Sequence, residues 1–310
     1  MNYAPVLISV YNRPDHFKRC IESLKKCVGA AETILFIAID YPKDSWDAGK
    51  HDQITGYAGS ITGFKRVELM IRDHNVGSKE NIWSARAKIF TEYDRMIFSE
   101  DDNEFAPGFL QFMNSALEAY ADDPLVFAIN GYNYPIKTAD IHSGDVYKFQ
   151  GYCAWGAGIW RDKWSKVVWT RNSSRRFIIN PKNLVKTIKT APGYLLHFWS
   201  YVFKGRFAGD AVILTNLIAN DWVVLNPVHT LVINHGCDGS GEHKSHDIRY
   251  SQQLFPAETP DSTDLVCAHD RKLIYMRLRK YFKLDLVSVI RFAYSCMSFS
   301  SLFNSKRQNR

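Results

Sequence analysis

Residues 93–109 read Tyr-Asp-Arg-Met-Ile-Phe-Ser-Glu-Asp-Asp-Asn-Glu-Phe-Ala-Pro-Gly-Phe, and this stretch decides the fold. The apolar run at 96–98 is typical of a strand buried on both faces, and it leads directly into three carboxylates, Glu100, Asp101 and Asp102. Unpaired carboxylates are costly in a low-dielectric site, so the triplet predicts a compensating cation or a set of hydroxyls at the end of this strand.

An acidic triplet is also common in ordinary solvated loops, and its position in the chain distinguishes the two interpretations. In open α/β sheets, ligands bind at the carboxyl ends of the strands. Hard oxygen ligands at that place suit Mg²⁺ or Mn²⁺, which keeps several waters and bridges substrate phosphates through one or two protein carboxylates. The triplet therefore favours a metal-assisted phosphate site over a solvated loop.

Composition bounds the class of protein. With 310 residues, the chain can form one large α/β domain or two smaller ones. Its hydrophobic content of 46% and aromatic content of 14% exclude a disordered protein. The net charge of +7 favours phosphate-bearing ligands or anionic membrane surfaces as partners. The last forty residues hold ten Lys and Arg against one Asp, which leaves the rest of the chain at roughly −2.

Cysteine spacing and hydropathy indicate a cellular compartment. The six cysteines form no CxxC pair and no metal-ligand spacing, so we expect reduced thiols in a cytosolic protein. The N-terminal residues do not have the pattern of a signal peptide. Residues 286–303 are apolar but contain Arg291 and five serines, which makes them a poor spanning helix. We expect a cytoplasmic protein that can lie peripherally on the inner face of a membrane.

Apolar runs and helical periodicities alternate along the first half of the chain, which predicts βαβ units. The first two strands end in polar residues, Asn12 and Arg13 after one and Asp40 after the other, where a nucleotide could bind. The Gly-rich dinucleotide fingerprint and the P-loop are both absent, which argues against NAD and the usual ATPase mechanism. Strands are predicted at residues 5–11, 33–39, 67–71, 96–98, 126–130, 222–225 and 230–233, and helices at 79–90 and 108–120.

Three later segments each allow two interpretations. Residues 151–164 contain three Trp and three Gly, which suits a wall on which a sugar ring stacks, or ordinary core packing. Asp210 precedes a helical run at 212–219, where it is either a plain helix cap or a functional acid. Residues 234–246 carry three His, two carboxylates and three Gly, which suits an active-site lid or an exposed loop.

Together, the motifs resemble the GT-A fold glycosyltransferases. In chain order they are Val-Leu-Ile-Ser-Val-Tyr-Asn-Arg-Pro at 6–14, the strand ending at Asp40, Ser-Glu-Asp-Asp followed by Pro-Gly-Phe within 99–109, and Trp-Gly ahead of Trp-Arg within 155–161. The similarity is greatest to bacterial family 2-like sugar transferases and to the Glu-Asp-Asp motif of N-acetylglucosaminyltransferase I. It covers roughly residues 5–245 and implies an α/β, Rossmann-like three-layer sandwich with a mostly parallel central sheet.

The resemblance also implies roles for individual residues. A metal, Mn²⁺ or Mg²⁺, would be held on the donor diphosphate by Asp102, and the catalytic base would be Asp210, here preceded by Gly209 in place of the family's Trp. Donor binding would involve Asn12, Arg13 and Asp40 at the nucleotide base, Asp101 and Glu100 at the ribose and sugar, Trp155 and Gly156 in the tryptophan motif, and Asn234, Gly236 and His243 near the phosphates.

The expected activity is metal-dependent transfer of a sugar from a nucleoside diphosphate donor, expected to be UDP-linked, to a hydroxyl of a glycan or glycolipid, with inversion. We expect a GT-A domain over 1–265 and a basic amphipathic segment over 266–310 that contacts an anionic membrane surface, with no nucleic acid partner. Two alternatives stay open. A nucleotidyltransferase would need a basic Gly-rich loop near the N-terminus, and a non-catalytic carbohydrate- or nucleic-acid-binding protein would use the basic tail and the tryptophans.

Overall fold

A computed structural model describes residues 3–141, 145–204, 209–241, 246–256, 265–285 and 289–290. The chain forms two compact units. The sheet unit comprises residues 1–166 and 223–269, and the helical unit comprises residues 167–222 and those from 270 onward. The expected division into domains 1–265 and 266–310 stays a prediction. In the structure, residues 167–222 group with those from 270 onward.

The strands of the sheet unit lie close to where the apolar runs predicted them, and the predicted strands are confirmed within about two residues. The ten strands among the described residues are β1 Val6–Val10, β2 Ile34–Ile39, β3 Arg66–Ile71, β4 Arg95–Glu100, β5 Asn103–Phe105, β6 Val126–Asn130, β7 Val146–Phe149, β8 Ala157–Trp160, β9 Val223–Pro227 and β10 Val232–Asn234.

Eight strands form one sheet in the order β3-β2-β1-β4-β8-β6-β9-β7. The pairs β1–β2, β2–β3, β1–β4 and β6–β9 are parallel, whereas β8 is antiparallel to both β4 and β6, and β7 is antiparallel to β9. Six of the eight strands therefore run in the same direction. The expected α/β fold with a mostly parallel central sheet is confirmed.

The central strands are buried because their side chains are apolar at successive positions, as in a sheet covered on both faces. Val6, Leu7 and Ile8 of β1 are fully buried, as are most residues of β2 and β4. The helices of the sheet unit are α1 Pro14–Lys25, α2 Ser45–Gly59, α3 Gly77–Glu92, α4 Phe109–Ala119 and α5 Arg161–Ser165. The predicted helices 79–90 and 108–120 are thus confirmed as α3 and α4.

The tryptophan motif contributes to this core. Trp160 ends β8, in the middle of the sheet, and is only 5% exposed. Trp164 stacks on Phe127 at 6.1 Å between ring centroids, and the guanidinium of Arg86 lies 4.1 Å from the Trp164 ring centre. For these two tryptophans, core packing is therefore the correct interpretation, and stacking on a sugar is not.

The helical unit is built from amphipathic segments with recognisable caps. Thr170 accepts a hydrogen bond from the backbone N–H of Ser173, and Asn180 accepts one from that of Lys182, so two helices follow in close succession. Among the described residues, this unit contains only helices: α6 Arg171–Ile179, α7 Pro181–Thr190, α8 Tyr194–Lys204, α9 Gly209–Ala219 and α10 Arg271–Tyr281.

Helix α10 of the basic C-terminal segment belongs to this unit. Ile274 and Leu278 of α10 are fully buried, the backbone N–H of Gly193 donates to the carbonyl of Phe282 at 2.7 Å, and the rings of Tyr194 and Phe282 lie 4.8 Å apart. Residues 291–310 lie outside the described part, so the membrane contact expected of the segment stays a prediction. Among the described residues, no helix is long and apolar enough to cross a bilayer. Free thiols are found at Cys20, Cys27, Cys153, Cys237 and Cys267.

Candidate active site

The polar ends of β1, β2 and β4 meet at one edge of the sheet. The three strands are adjacent and parallel, and the register pairs Ser9 with Glu100 and Val10 with Ile39. Residues that follow these strands therefore emerge side by side, where ligands bind in open α/β sheets. This register explains why residues far apart in sequence form one candidate site.

Arg13 is the cationic centre of that site. Its Nη2 contacts Asp101 Oδ1 in a short ion pair, and its Nη1 lies 2.9 Å from Asp102 Oδ2. Both aspartates are nearly buried, at 3% and 7% exposure. Burial tends to lower the pKa of Arg13, but the charges of Asp101 and Asp102 outweigh it, so the pKa is raised and the guanidinium stays charged. Burial raises the pKa of Asp101, despite the opposing charge of Arg13, and the neighbouring Asp102 raises it further.

Asp102 is also held from the late loop. Strand β10 pairs antiparallel with β5, with Asn234 opposite Asn103, which brings the loop after β10 against the triplet. The amide of Asn234 donates to Asp102 Oδ1 at 2.8 Å, and the backbone N–H of His235 donates to the Asp102 carbonyl at 2.9 Å. A side chain at position 236 would collide with Asp102 Oδ2, so only glycine fits beside this carboxylate.

Trp155 contacts the first acid of the triplet. Its indole N–H donates to Glu100 Oε2 at 3.3 Å, and its ring packs edge-on against Tyr132 at 4.9 Å. Gly156 follows with a φ of +71°, a conformation that favours glycine, and its carbonyl accepts a hydrogen bond from Gly131 at 2.8 Å. Of the three predicted tryptophans, Trp155 is therefore the one that joins the site.

Asn12 and Asp40 lie at the same edge, and both are engaged by the protein. The Asn12 amide donates to Asp47 of α2 at 3.0 Å. Asp40 accepts backbone hydrogen bonds from Val76 at 3.0 Å and Gly77 at 2.9 Å, so it anchors the loop that begins α3. The geometry places both residues beside the candidate site, and their contact with a nucleotide base stays a prediction.

Beside the triplet, the predicted loop 234–246 meets two titratable residues that sequence reasoning missed, His16 and Glu104. His16 Nε2 lies 3.2 Å from Asp238 Oδ2, and His235 Nε2 lies 2.8 Å from Glu104 Oε2. The hydroxyl and backbone N–H of Ser240 lower the pKa of Asp238 to about 2, and the charge of His16 contributes in the same direction. The available signal was helical spacing, because His16 follows Arg13 by three residues at the start of α1.

The charges at the triplet fit a divalent cation. Two carboxylates, those of Asp101 and Asp102, share the single positive charge of Arg13, and burial still raises the pKa of Asp101. Among the described residues there is no group of three or more His, Cys, Asp or Glu arranged to hold a metal. A metal that binds chiefly through substrate phosphates needs only one or two carboxylates, which Asp102 and Asp101 can supply. Arg13 now pairs with Asp102 Oδ2, the oxygen for which such a metal would compete.

Comparison of the fold with solved structures finds matches among sugar-transferring enzymes. The fold resembles known glycosyltransferases. A mannosyltransferase from Pyrobaculum calidifontis, solved with GDP-Man and Mn²⁺, is 9% identical with a TM-score of 0.42, over 70% of this chain and 69% of that one. Residues 1–349 of TarS from S. aureus are 10% identical with a TM-score of 0.37, over 54% and 50%. Mouse xyloside xylosyltransferase 1 is 8% identical with a TM-score of 0.39, over 74% and 84%.

These likenesses concern the fold alone, at 8–10% identity. No protein family model matches the chain. No curated protein matches its sequence.

Two predicted site residues are not part of this cluster as described. Asp210 lies in the first turn of α9, which confirms its predicted place at a helix N-terminus, and it belongs to the helical unit. Its role as base stays a prediction. His243 lies outside the described residues.

Proposed function

We propose that the chain transfers a sugar from a nucleoside diphosphate donor, UDP-linked, to a hydroxyl of a glycan or glycolipid. The observation that carries the proposal is the arrangement of Asp101, Asp102 and Arg13 at the carboxyl edge of the parallel strands. A guanidinium recognises phosphate oxygens through paired N–H donors, and adjacent carboxylates recruit a hard divalent cation. A donor diphosphate needs both groups.

The proposed cofactor is Mn²⁺ or Mg²⁺, held by Asp102. When bound, the metal neutralises charge that develops on the departing diphosphate. Arg13, which lies 2.9 Å from Asp102 Oδ2, would recognise phosphate oxygens of the same diphosphate. Asn234 and the glycine at 236 hold Asp102 in one orientation.

The remaining donor contacts are proposed from the resemblance of the motifs. Asn12 and Asp40 border the nucleotide, and Asp101 and Glu100 border the ribose and sugar, with His243 near the phosphates. Trp155 holds the Glu100 carboxylate through its indole N–H at 3.3 Å, beside the proposed position of the donor sugar. The main chain at Gly156 would form the surface beside the donor sugar.

The proposed base is Asp210, which would take the proton from the acceptor hydroxyl as its oxygen attacks the anomeric carbon opposite the leaving diphosphate. Asp238, which lies 3.2 Å from His16, is a competing candidate for this role. With its pKa lowered to about 2, it is a weak proton acceptor near neutral pH, so it is poorly suited to be the base.

Replacement of Asp102 by Asn tests the proposal. Asp102→Asn removes one charge at nearly constant volume, so metal-dependent binding of a nucleoside diphosphate, measured by isothermal titration calorimetry, should be lost. Asp162→Asn, the same change at an exposed residue paired only with Lys166 at 3.3 Å, is the matched control and should bind as the wild type does. Unchanged metal-dependent affinity in Asp102→Asn would overturn the assignment.

The same titration separates the enzyme from a binding module. Nucleotide binding accompanied by donor hydrolysis supports the transferase. Salt-sensitive retention of nucleic acid without nucleotide binding would support a non-catalytic protein instead. The proposed location is cytoplasmic, with the basic segment 266–310 in contact with an anionic membrane surface.

A further inference from the structure

The two compact units carry opposite charge. The helical unit contains eighteen Lys and Arg against four Asp and Glu, a net charge of +14, which leaves the sheet unit at −7. A charge of this size on 97 residues creates a strong local potential that attracts polyanionic partners. The basicity noticed at the C-terminus in the sequence is therefore shared by residues 167–222.

Helices α6 and α7 present aliphatic and cationic side chains together. Ile179, at the end of α6, is 78% exposed, and Val185 and Ile188 of α7 are 49% and 44% exposed. On α7, positions 182, 185 and 188–189 recur at helical spacing, so they lie on one face. The exposed residues of this α6–α7 face are Arg175, Arg176, Ile179, Lys182, Val185, Ile188 and Lys189.

The cations of this face differ from the neighbouring Lys186 in their ion pairing. Lys186, one residue beyond Val185, is paired with Asp221 at 2.7 Å. Within the described residues, no ion pair joins Arg175, Arg176 or Lys182 to a carboxylate. The free cations are therefore those beside the exposed aliphatic residues.

A groove lies between α6 and Val202 of α8. It has a volume of about 460 Å³, and the residues that line it are Asn172, Arg175, Arg176, Ile178, Ile179 and Val202. Its surface is mainly aliphatic, and the two arginines supply the charge. A groove with this lining fits an apolar chain attached to an anionic group.

We propose that the α6–α7 face docks on an anionic phospholipid surface. Cations near such a surface are attracted to its headgroups, and exposed aliphatic side chains gain free energy by entering the acyl boundary. Ile179, Val185 and Ile188 would have no such gain against a nucleic acid backbone. A second copy of this face would place one strongly positive surface against another. The proposal does not depend on the proposed sugar transfer.

Co-sedimentation of the full chain with vesicles tests this surface. Vesicles of phosphatidylglycerol and phosphatidylcholine in equal parts should bind the protein, and vesicles of phosphatidylcholine alone should bind it far less. Arg175→Gln combined with Arg176→Gln should weaken binding about 30-fold, since each Lys or Arg near the surface contributes about fivefold. Ile179→Gln should weaken it about tenfold, and this loss should persist at high salt, where charge attraction is screened.

A matched control neutralises two exposed lysines of the sheet unit, Lys26→Gln with Lys88→Gln, and should bind the mixed vesicles as the wild type does. Circular dichroism melting curves confirm that each variant is folded. Wild-type binding by the Arg175/Arg176 variant, or equal losses in that variant and the control, would overturn the proposal. It would also be overturned if Ile179→Gln abolished self-association or binding to a single-stranded RNA while vesicle binding was unchanged.

Discussion

Position 236 offers the sharpest single-atom test of the site. The backbone at Gly236 is outside the left-handed region, so its conformation would accept a side chain. The obstacle is space, because an added Cβ would collide with Asp102 Oδ2 and lie 3.1 Å from Arg13 Nη1. Gly236→Ala therefore forces the Asp102 carboxylate to move without a change in any charge.

The cost follows from the contacts that Asp102 would lose. Its carboxylate lies 2.9 Å from Arg13 and accepts a 2.8 Å hydrogen bond from Asn234. Loss of one hydrogen bond to a charged group costs about 1.5–3 kcal/mol. If Asp102 holds the metal in the oriented form seen here, metal-dependent affinity for a nucleoside diphosphate should fall about 10- to 150-fold.

Isothermal titration calorimetry with Mn²⁺ and the nucleoside diphosphate measures this loss. Gly56→Ala is the matched control, since a Cβ at that position in α2 meets nothing within 4 Å. It should leave affinity unchanged and stabilise the protein by about 0.5–1 kcal/mol, the usual helix preference of Ala over Gly. Wild-type affinity in Gly236→Ala would refute the reasoning that the orientation of Asp102 matters for donor binding.

Three further predictions concern the base, the metal and the core. Asp210→Asn should retain donor affinity and lose no more than about 1 kcal/mol of stability, because a carboxylate in the first turn of α9 gains only about that much from the helix dipole, yet it should lower transfer by about a hundredfold; near wild-type transfer, or a product with the donor's anomeric configuration, would exclude Asp210 as the base. Removal of divalent metal with EDTA should abolish donor binding but shift the melting temperature little, because Arg13 and Asn234 already pair with Asp102; a large shift would show a structural metal. Lys163→Met should lower the free energy of unfolding in urea by about 3 kcal/mol, because the buried ammonium donates to three carbonyls at 2.8–3.0 Å. Lys166→Met, at an exposed position, is the control and should change it by less than about 0.5 kcal/mol.

The sequence predicted the strands of the site because their signals are local. Continuous apolar runs define β1, β2 and β4, and each is followed directly by the polar residues that form the site. The meeting of Arg13 with Asp101 and Asp102 could not be predicted in the same way. The two groups are 88 residues apart, and the parallel register of β1 on β4 brings them together.

Other elements lacked a clear local signal. β8 is four residues long, contains a glycine and is inserted antiparallel between two strands that run the other way, so its tryptophan was interpreted as a candidate sugar platform. The helices of residues 170–204 are short, and their apolar faces are interrupted by many cations, so the segment gave no prediction. The pairing of β5 with β10 links segments 130 residues apart and depends on the tertiary fold.

Donor cleavage is the direct test of sugar transfer by this site. The 310-residue chain is incubated with Mn²⁺ and each of a panel of nucleotide sugars, and the released nucleoside diphosphate is quantified. We expect release from at least one donor, loss of that release in Asp102→Asn, and wild-type release in Asp162→Asn. No release from any donor, or equal release by the wild type and Asp102→Asn, would contradict this expectation.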